Sequence, residues 1–399
     1  MALITVSDAL GLLEEGLTPL GAEQVPLSQA HGRVLAEDLS ARLTQPPFDA
    51  SAMDGYAVRG ADVAVLPASL EVIGESAAGA GFAGVLAPLQ AVRIFTGAPV
   101  PAGADTVVIQ EETEVAGNSL VVKEARQGAH IRPKGQDFVM DDVLLKSGKR
   151  ISARDVMLAA AMNYADVPVR IAPRLAVLST GDEIVPPGDS VGPDQIVASV
   201  SYGISSLARA QGADVIDLGI AKDDPAALSD AIGRCADADV LVTIGGASVG
   251  ERDLVKSALT EAGLEFVFNK VAMRPGKPVF CGQMGATRVL GLPGNPVSAY
   301  ICAVVFLLPL LRSLLGETHQ AAPQAASLAS ALPQNGPREH FQRATSVFSD
   351  DGTRLVEVRA SQDSSLMAAL ASADCLIRRP ANAPGLPAGS KVEILPIPG

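Results

Sequence analysis

Leu241–Asp253 reads LVTIGGASVGERD, and the rest of the chain is organised around this stretch. Val240–Ile244 is a short, β-branched apolar run of the kind that forms a buried parallel strand. It ends in Gly245, Gly246 and Gly250, which allow tight turns with N–H groups lined up toward an anion. Ser248 lies inside the loop, and Glu251 and Asp253 bring carboxylates to its rim. An anion cradle a few residues from cation ligands suits a phosphate ester held with a divalent metal. The same residues serve a plain strand-to-helix turn, so the remainder of the chain has to decide.

Around it, the apolar runs Leu175–Leu178, Ala213–Ile216, Val279–Phe280 and Val289–Leu292 alternate with helical stretches at Ser201–Gln211, Pro225–Cys235, Leu254–Ala262 and Pro296–Leu315. That alternation predicts a doubly wound α/β core with a mostly parallel sheet covered on both faces. Ligands of such sheets bind outside the carboxyl ends of the strands. The informative loops are therefore Ser179-Thr180-Gly181-Asp182-Glu183, the opening stretch, and Pro293-Gly294-Asn295-Pro296-Val297-Ser298. In the last, Asn295 is placed to cap a helix whose first residue is Pro296, and the free N–H groups of that start suit an anion. A simple cap explains both residues equally well. Lys270, Arg274 and Lys277 put three cations within eight residues stiffened by Pro275 and Pro278. Beside a glycine-rich loop in an acidic protein, they read as a shared oxyanion site.

The chain has 399 residues, enough for roughly two to four domains. Hydrophobic residues at 48% and charged residues at 19% make it globular. A net charge of −13, no tryptophan and 4% aromatics argue against a nucleic-acid groove. Cys235, Cys281, Cys302 and Cys375 are scattered, as are His31, His130, His319 and His340, which disfavours a zinc site and suggests a reducing cytoplasm. The N-terminus has no basic region followed by a long apolar one, so export is not expected. Val297–Leu311 is uncharged but shorter than the ~20 residues that cross a bilayer. It reads as a buried helix, and no membrane association is expected.

Residues 1–21 form an amphipathic helix, with Val6, Leu10, Leu13 and Leu17 on one face, assigned with 173–318 to the α/β domain. Residues 22–41, with Val25, Leu27, Val34 and Leu35 as strand positions, join 142–172 in a discontinuous connector. The latter segment holds the basic patch Lys146–Arg150 and a helix at Ser152–Asn163. Residues 42–141 read as a β-rich domain with strands at Leu70–Ile73, Ala91–Phe95, Thr106–Gln110 and Leu120–Lys123. Its loops Asp49–Gly55, Thr96–Gly103 and Gly135–Asp137 contain the residues turns require, but Asp54, Thr96 and Asp137 also place three polar tips in one small domain. Residues 320–330, QAAPQAASLAS, read as a low-complexity linker. Within 319–399, alternating strands at Phe341–Phe348, Thr353–Arg359, Cys375–Arg378 and Lys391–Leu395 suggest a small β-barrel or sandwich carrying Arg343 and the loop Gln362-Asp363-Ser364-Ser365.

Eight segments, FDASAMDGYAV, IFTGAPVPAGADTVVIQEE, GQDF, LSTGDEIV, GGASVGERD, MRPGKPVF, GLPGNPVSA and HFQRA, occur in the order seen in the molybdopterin molybdenumtransferases, the MoeA family. The chain resembles that family from about residue 5 to 395, and the E domain of gephyrin is similar. The resemblance implies four domains and an elongated homodimer, with the cleft between the α/β domain of one subunit and the β-rich domain of the other. It implies that adenylated molybdopterin and molybdate, as substrates, give molybdenum cofactor and AMP, with Mg²⁺ as cofactor. Contact with molybdopterin adenylyltransferase and apo-molybdoenzymes would follow. On this resemblance Glu183 and Asp253 are the metal and nucleotide acids, with Asp223 beside them. Asp54, Thr96 and Asp137 are cleft residues from the partner subunit, and Lys270, Arg274, Lys277, Arg343 and Ser364 hold molybdate or the pterin phosphate. Mg²⁺ prefers a few carboxylates, water and phosphate oxygens, and an oxyanion needs cationic and hydroxyl donors, so the residue types suit the chemistry. The sulfur ligands of molybdenum come from the pterin, so no Cys/His cluster is required. Two positions depart from the family pattern. Arg274 stands where many relatives carry Lys, and Ile196–Ser201 replaces an Asp-Ser-Asn-type run. The other readings are a molybdopterin adenylyltransferase-like enzyme, whose α/β fold is similar, and a non-catalytic gephyrin-like scaffold.

Overall fold

The computed structural model describes residues 3–246, 254–318 and 324–398. At its centre is a six-stranded sheet in the order Asp214–Ala221, Arg174–Thr180, Val240–Ile244, Thr287–Leu292, Phe280–Met284, Leu264–Asn269. The first four run parallel, and Phe280–Met284 is antiparallel to both of its neighbours. All five residues of Val240–Ile244 are buried, as their unbroken apolar run requires of a strand covered on both faces. Of this sheet's strands in chain order, the second, Asp214–Ala221, lies on one side of the first, Arg174–Thr180, and the third, Val240–Ile244, on the other. The order therefore reverses between Arg174–Thr180 and Val240–Ile244, which opens a crevice at their carboxyl ends.

One face of the sheet is covered by helix Pro296–Leu314, whose mean hydropathy is 2.0 and which is 72% buried inside the protein. Val297, Ile301, Phe306 and Leu310 have no exposed surface and share one core with the sheet and with helix Val6–Glu14. This is a core helix that happens to be apolar enough to cross a membrane. Its middle turn, Ala303–Leu307, is π-helical, a widening that makes room for Pro309 two residues on, which lacks an N–H and crowds the preceding turn.

A second cluster combines Val25, Leu35 and Leu39 with Phe138, Leu145, Ile151, Met162 and Val169. There Ala22–Pro26 pairs with Asp166–Arg170 and Leu39–Ser40 with Val143–Leu145. Helix Ala153–Ala161 begins at a capping box between Ser152 and Asp155. Arg150 joins this cluster to the end of the core helix by a forked pair with Glu317, at 3.0 and 2.7 Å. The β-rich part is a six-stranded sheet in which Gly55–Val58 is an inner strand, between Thr106–Ile109 and Gln90–Ile94. The sequence pattern hides that strand, because all four residues are buried and nothing alternates.

Toward the C-terminus, Glu339–Phe348, Arg354–Val358, Gln324–Leu328, Lys391–Pro396 and Cys375–Arg379 form a closed five-stranded barrel, the last pairing back on the first. Gln324–Leu328 corrects the expectation of a linker over 320–330. Its small residues read as low complexity, yet Ala326, Ser327 and Leu328 are buried. The two-residue strand Met273–Arg274, from the α/β part, adds to the barrel by pairing with Glu339 and His340.

Candidate active site at the carboxyl end of the parallel sheet

Because Phe280–Met284 is antiparallel to both neighbours, Leu264–Asn269 runs in the same sense as the four parallel strands. The loops after Thr180, Ala221, Ile244, Asn269 and Leu292 therefore all emerge at one end of one sheet. That end gathers Glu183, Asp223, Gly245, Gly246, Lys270, Arg274, Lys277, Pro293, Asn295, Pro296 and Ser298. Ser248, Gly250 and Asp253 lie outside the described residues.

The loops touch. Gly245 has φ +94°, and a Cβ there would sit 2.7 Å from the carbonyl oxygen of Thr180, so only glycine allows this approach. Its N–H donates to the carbonyl of Leu292 at 3.2 Å, and a Cβ at Gly294 would lie 3.7 Å from its Cα. At Gly181, φ +141°, the Glu183 carboxylate folds back to where a Cβ would be. Asp223 donates its N–H to Asp182 at 3.2 Å. Burial, then the charges of Asp182 and Glu183, raise the Asp223 carboxyl above its usual pKa, as expected of neighbouring acids. Beside them is a cleft of about 440 Å³ lined by Asp182, Ile184, Gln195, Ala198, Tyr202 and Lys222. The sequence reading missed Tyr202 and Gln195. Their only signal was proximity to the divergent Ile196–Ser201 segment, whose Ala198 and Ser201 also line the cleft. Among the described residues no group of three or more His, Cys, Asp or Glu is arranged to hold a metal.

On the basic side, Arg274 and Lys277 are exposed and Lys270 is half-buried, and the described residues offer their charged heads no ion-pair partner. Val271 N–H donates to the carbonyl of Lys277 at 3.0 Å, which closes the segment into a compact loop. Lys270 has φ +132°, a conformation costly for a residue with a side chain and held here by the surrounding structure.

Arg343 departs from the expectation of direct anion contact. It is 1% exposed, and its guanidinium donates to the carbonyls of Leu366, Ser361 and Asp363 at 3.1, 3.1 and 2.8 Å. It thereby shapes the loop carrying Ser364. Ser364 accepts from the Asn295 side chain at 3.1 Å, and its carbonyl accepts from the Val297 N–H at 3.1 Å. Asn295 thus occupies the cap position but spends its side chain on the barrel. Pro293 and Ser298 are buried beneath these contacts. His340, buried and facing Arg274, Arg338, Arg379 and Arg343, is pushed down to about 4.

The β-rich part holds the remaining three. Asp54 Oδ1 accepts from the N–H of Thr96 at 2.7 Å and from its hydroxyl at 2.8 Å. Those bonds, with the charge of Arg93, hold the Asp54 carboxyl below its usual range. Asp137 lines a separate cleft of about 540 Å³ with Gln45, Phe48, Gly97, Arg132 and Gln136. That cleft shares no lining residue with the one at the sheet's end.

Three family profiles match in order: MoeA N-terminal region (domain I and II) over residues 4–163, probable molybdopterin binding domain over 176–313, and MoeA C-terminal region (domain IV) over 325–397. Molybdopterin molybdenumtransferase 2 of Mycobacterium tuberculosis is 37% identical over 93% of this chain and 94% of its own. Molybdopterin molybdenumtransferase of Nostoc sp. is 35% identical over 94% and 89%. The crystal structure of the molybdopterin biosynthesis moea protein from Pyrococcus horikosii superposes with a TM-score of 0.85 at 30% identity, covering 100% of both chains. With its motifs, its fold and relatives of this similarity along nearly its whole length, the chain belongs to the molybdopterin molybdenumtransferase (MoeA) family.

Proposed function

We propose that this enzyme inserts molybdenum from molybdate into molybdopterin presented as its adenylate, releasing AMP. The observation that carries the reading is that acids and cations, the latter without an ion-pair partner among the described residues, leave the same end of one sheet, where the loops after Thr180, Ile244 and Leu292 touch. Asp182, Glu183 and Asp223 crowd one side, and Lys270, Arg274 and Lys277 occupy another. Crowded carboxylates with a raised member fit a hard divalent cation that completes its shell with phosphate and water. Glu183 and Asp223, with Asp253, would hold Mg²⁺. The ion would supply charge neutralisation on the phosphates of the adenylate. Arg274 and Lys277 bind and orient the oxyanion substrate through charge-assisted hydrogen bonds. Gly245 and the Thr180–Asp182 turn let the adenylate approach the backbone closely, and the Tyr202 cleft excludes water from its aromatic end. Catalysis by positioning and electrostatics follows, with no covalent enzyme intermediate.

On this reading Asp54, Thr96 and Asp137 act at the sheet end of a second copy, in a homodimer. Phe48, which lines the Asp137 cleft, and Met53, Val139 and Met140, close to Asp54 and Asp137 in the chain, are exposed and suit burial against a second copy. Four free, buried cysteines accord with the cytoplasm, where molybdopterin adenylyltransferase and apo-molybdoenzymes would supply and accept the pterin. The test gives purified protein adenylated molybdopterin, Mg²⁺ and molybdate, then follows AMP release and reconstitution of an apo-enzyme. Molybdate-dependent AMP release is expected, and release indifferent to molybdate would sink the reading.

A further inference from the structure

Arg93 lies on strand Gln90–Ile94, directly across from Tyr56 of Gly55–Val58. Its guanidinium carbon is 5.1 Å from the Tyr56 ring centroid and 4.9 Å from that of Phe95, so two rings fix the planar group. Nη1 donates to the carbonyl of Gly55 at 3.1 Å, and Nη2 to Oε1 of Gln110 at 2.7 Å. Gln110 donates its own N–H to the carbonyl of Asp54 at 3.2 Å. One half-buried side chain therefore grips the residue after Asp54, the ring before Thr96 and the residue bonded to the Asp54 carbonyl. Gly55 is paired to Ile94 on one side and Ile109 on the other, and no side chain fits there, since a Cβ would meet the Val108 carbonyl oxygen at 1.9 Å. Both Thr96 bonds fall on Oδ1 of Asp54, and among the described residues Oδ2 accepts none, on an exposed side chain.

We propose that Arg93 is a positioning residue for the Asp54–Thr96 pair, fixing the backbone on both sides so that the free oxygen of Asp54 is presented to the reactants. This rests on the reading above, in which Asp54 works in the transferase reaction. A fork stacked between two rings resists displacement where a flexible lysine would not, and misplacement of a working group by about 1 Å costs on the order of 100-fold in rate.

The experiment uses the full chain with adenylated molybdopterin, Mg²⁺ and molybdate. It compares kcat and the KM for molybdate in wild type, Arg93→Met, Arg93→Lys, Asp54→Asn and the double variants of each Arg93 change with Asp54→Asn. Arg93→Met is expected to lower kcat on the order of 10- to 100-fold with KM unchanged, and Arg93→Lys to lower it less. Once Asp54 is Asn, neither Arg93 change slows the enzyme further, because both then disable one unit. Losses that multiply across the two sites, or wild-type kcat in Arg93→Met, overturn the proposal. Should Arg93→Met fail to fold, the Arg93→Lys pair makes the same comparison. Full kcat in Asp54→Asn overturns this proposal together with the Asp54 reading, whereas loss in Asp54→Asn with unchanged Arg93 variants overturns this proposal alone.

Discussion

The end of the parallel sheet and the Asp54–Thr96 corner of the β-rich domain bring polar groups together by different means. At the sheet, five strands of one sense deliver five loops to one edge, and glycine at 245 lets two loops touch through backbone alone. At the corner, side chains do the holding: Asp54 accepts from the N–H and hydroxyl of Thr96, and Arg93 donates to the carbonyl of Gly55 and the side chain of Gln110. The first arrangement tolerates loss of a side chain without moving the rest. The second shifts when any member is removed. Substitutions at the sheet's end should therefore change chemistry, and those at the corner geometry.

The sharpest challenge asks whether the two regions meet across subunits. Glu183→Ala and Asp54→Asn are each expected to lose AMP release, on the order of 100-fold or more. Co-expressed as a mixed dimer, they regain a measurable fraction, because one of the two clefts is then intact. No recovery in a verified mixed dimer would mean the regions do not work in trans.

Next, the two arginines once grouped as oxyanion ligands should separate. Arg343→Met removes three charge-assisted hydrogen bonds from a buried guanidinium to the carbonyls of Ser361, Asp363 and Leu366 and is expected to cost about 2–4 kcal/mol in denaturant unfolding. Arg274→Met should stay within about 0.5 kcal/mol and raise the KM for molybdate. Equal stability losses would show that the barrel arginine does not build the Ser364 loop. Smaller again, Gly245→Ala places a Cβ against Thr180 at positive φ, and about 1–3 kcal/mol of strain is expected in the same measurement.

The smallest effect is electrostatic. Folding lowers the Asp54 pKa from 3.8, so the carboxylate adds stability above that pH and loses it as pH falls through the folded value. Thr96→Val removes the hydroxyl bond and should raise the Asp54 pKa in an NMR titration, with acid stability falling less steeply. An unmoved titration would detach Thr96 from Asp54. His340 has the same sign over a higher pH window, because folding lowers its pKa too. Held at about 4, it stays neutral where the unfolded chain protonates, so stability falls as pH drops from its ordinary value near 6.5 toward 4.

The core was legible where one physical rule dominates. Val240–Ile244 and Pro225 as a helix start were read to the residue, because burial on both faces and proline at the first helical position leave few alternatives. Gln324–Leu328 was lost because small residues carry no strand signal until a barrel closes over them. Leu264–Asn269 was lost too, although it delivers Lys270 to the site. The functional loops were visible through glycine, proline and acid spacing. Their side-chain economy was not: nothing in HFQRA shows that Arg343 is consumed by carbonyls of its own barrel, or that Asn295 reaches across to Ser364. Those depend on contacts between segments about 20 and 70 residues apart, which spacing rules cannot see.

The central claim is that one sheet end holds both the adenylate and the oxyanion. A crystal grown with AMP and molybdate tests it most directly. The account predicts the nucleotide against Thr180–Glu183 and Gly245, with molybdate within reach of Arg274 and Lys277. A nucleotide seated in the Asp137 cleft of the same chain, or inside the barrel, with the sheet end empty, would contradict it.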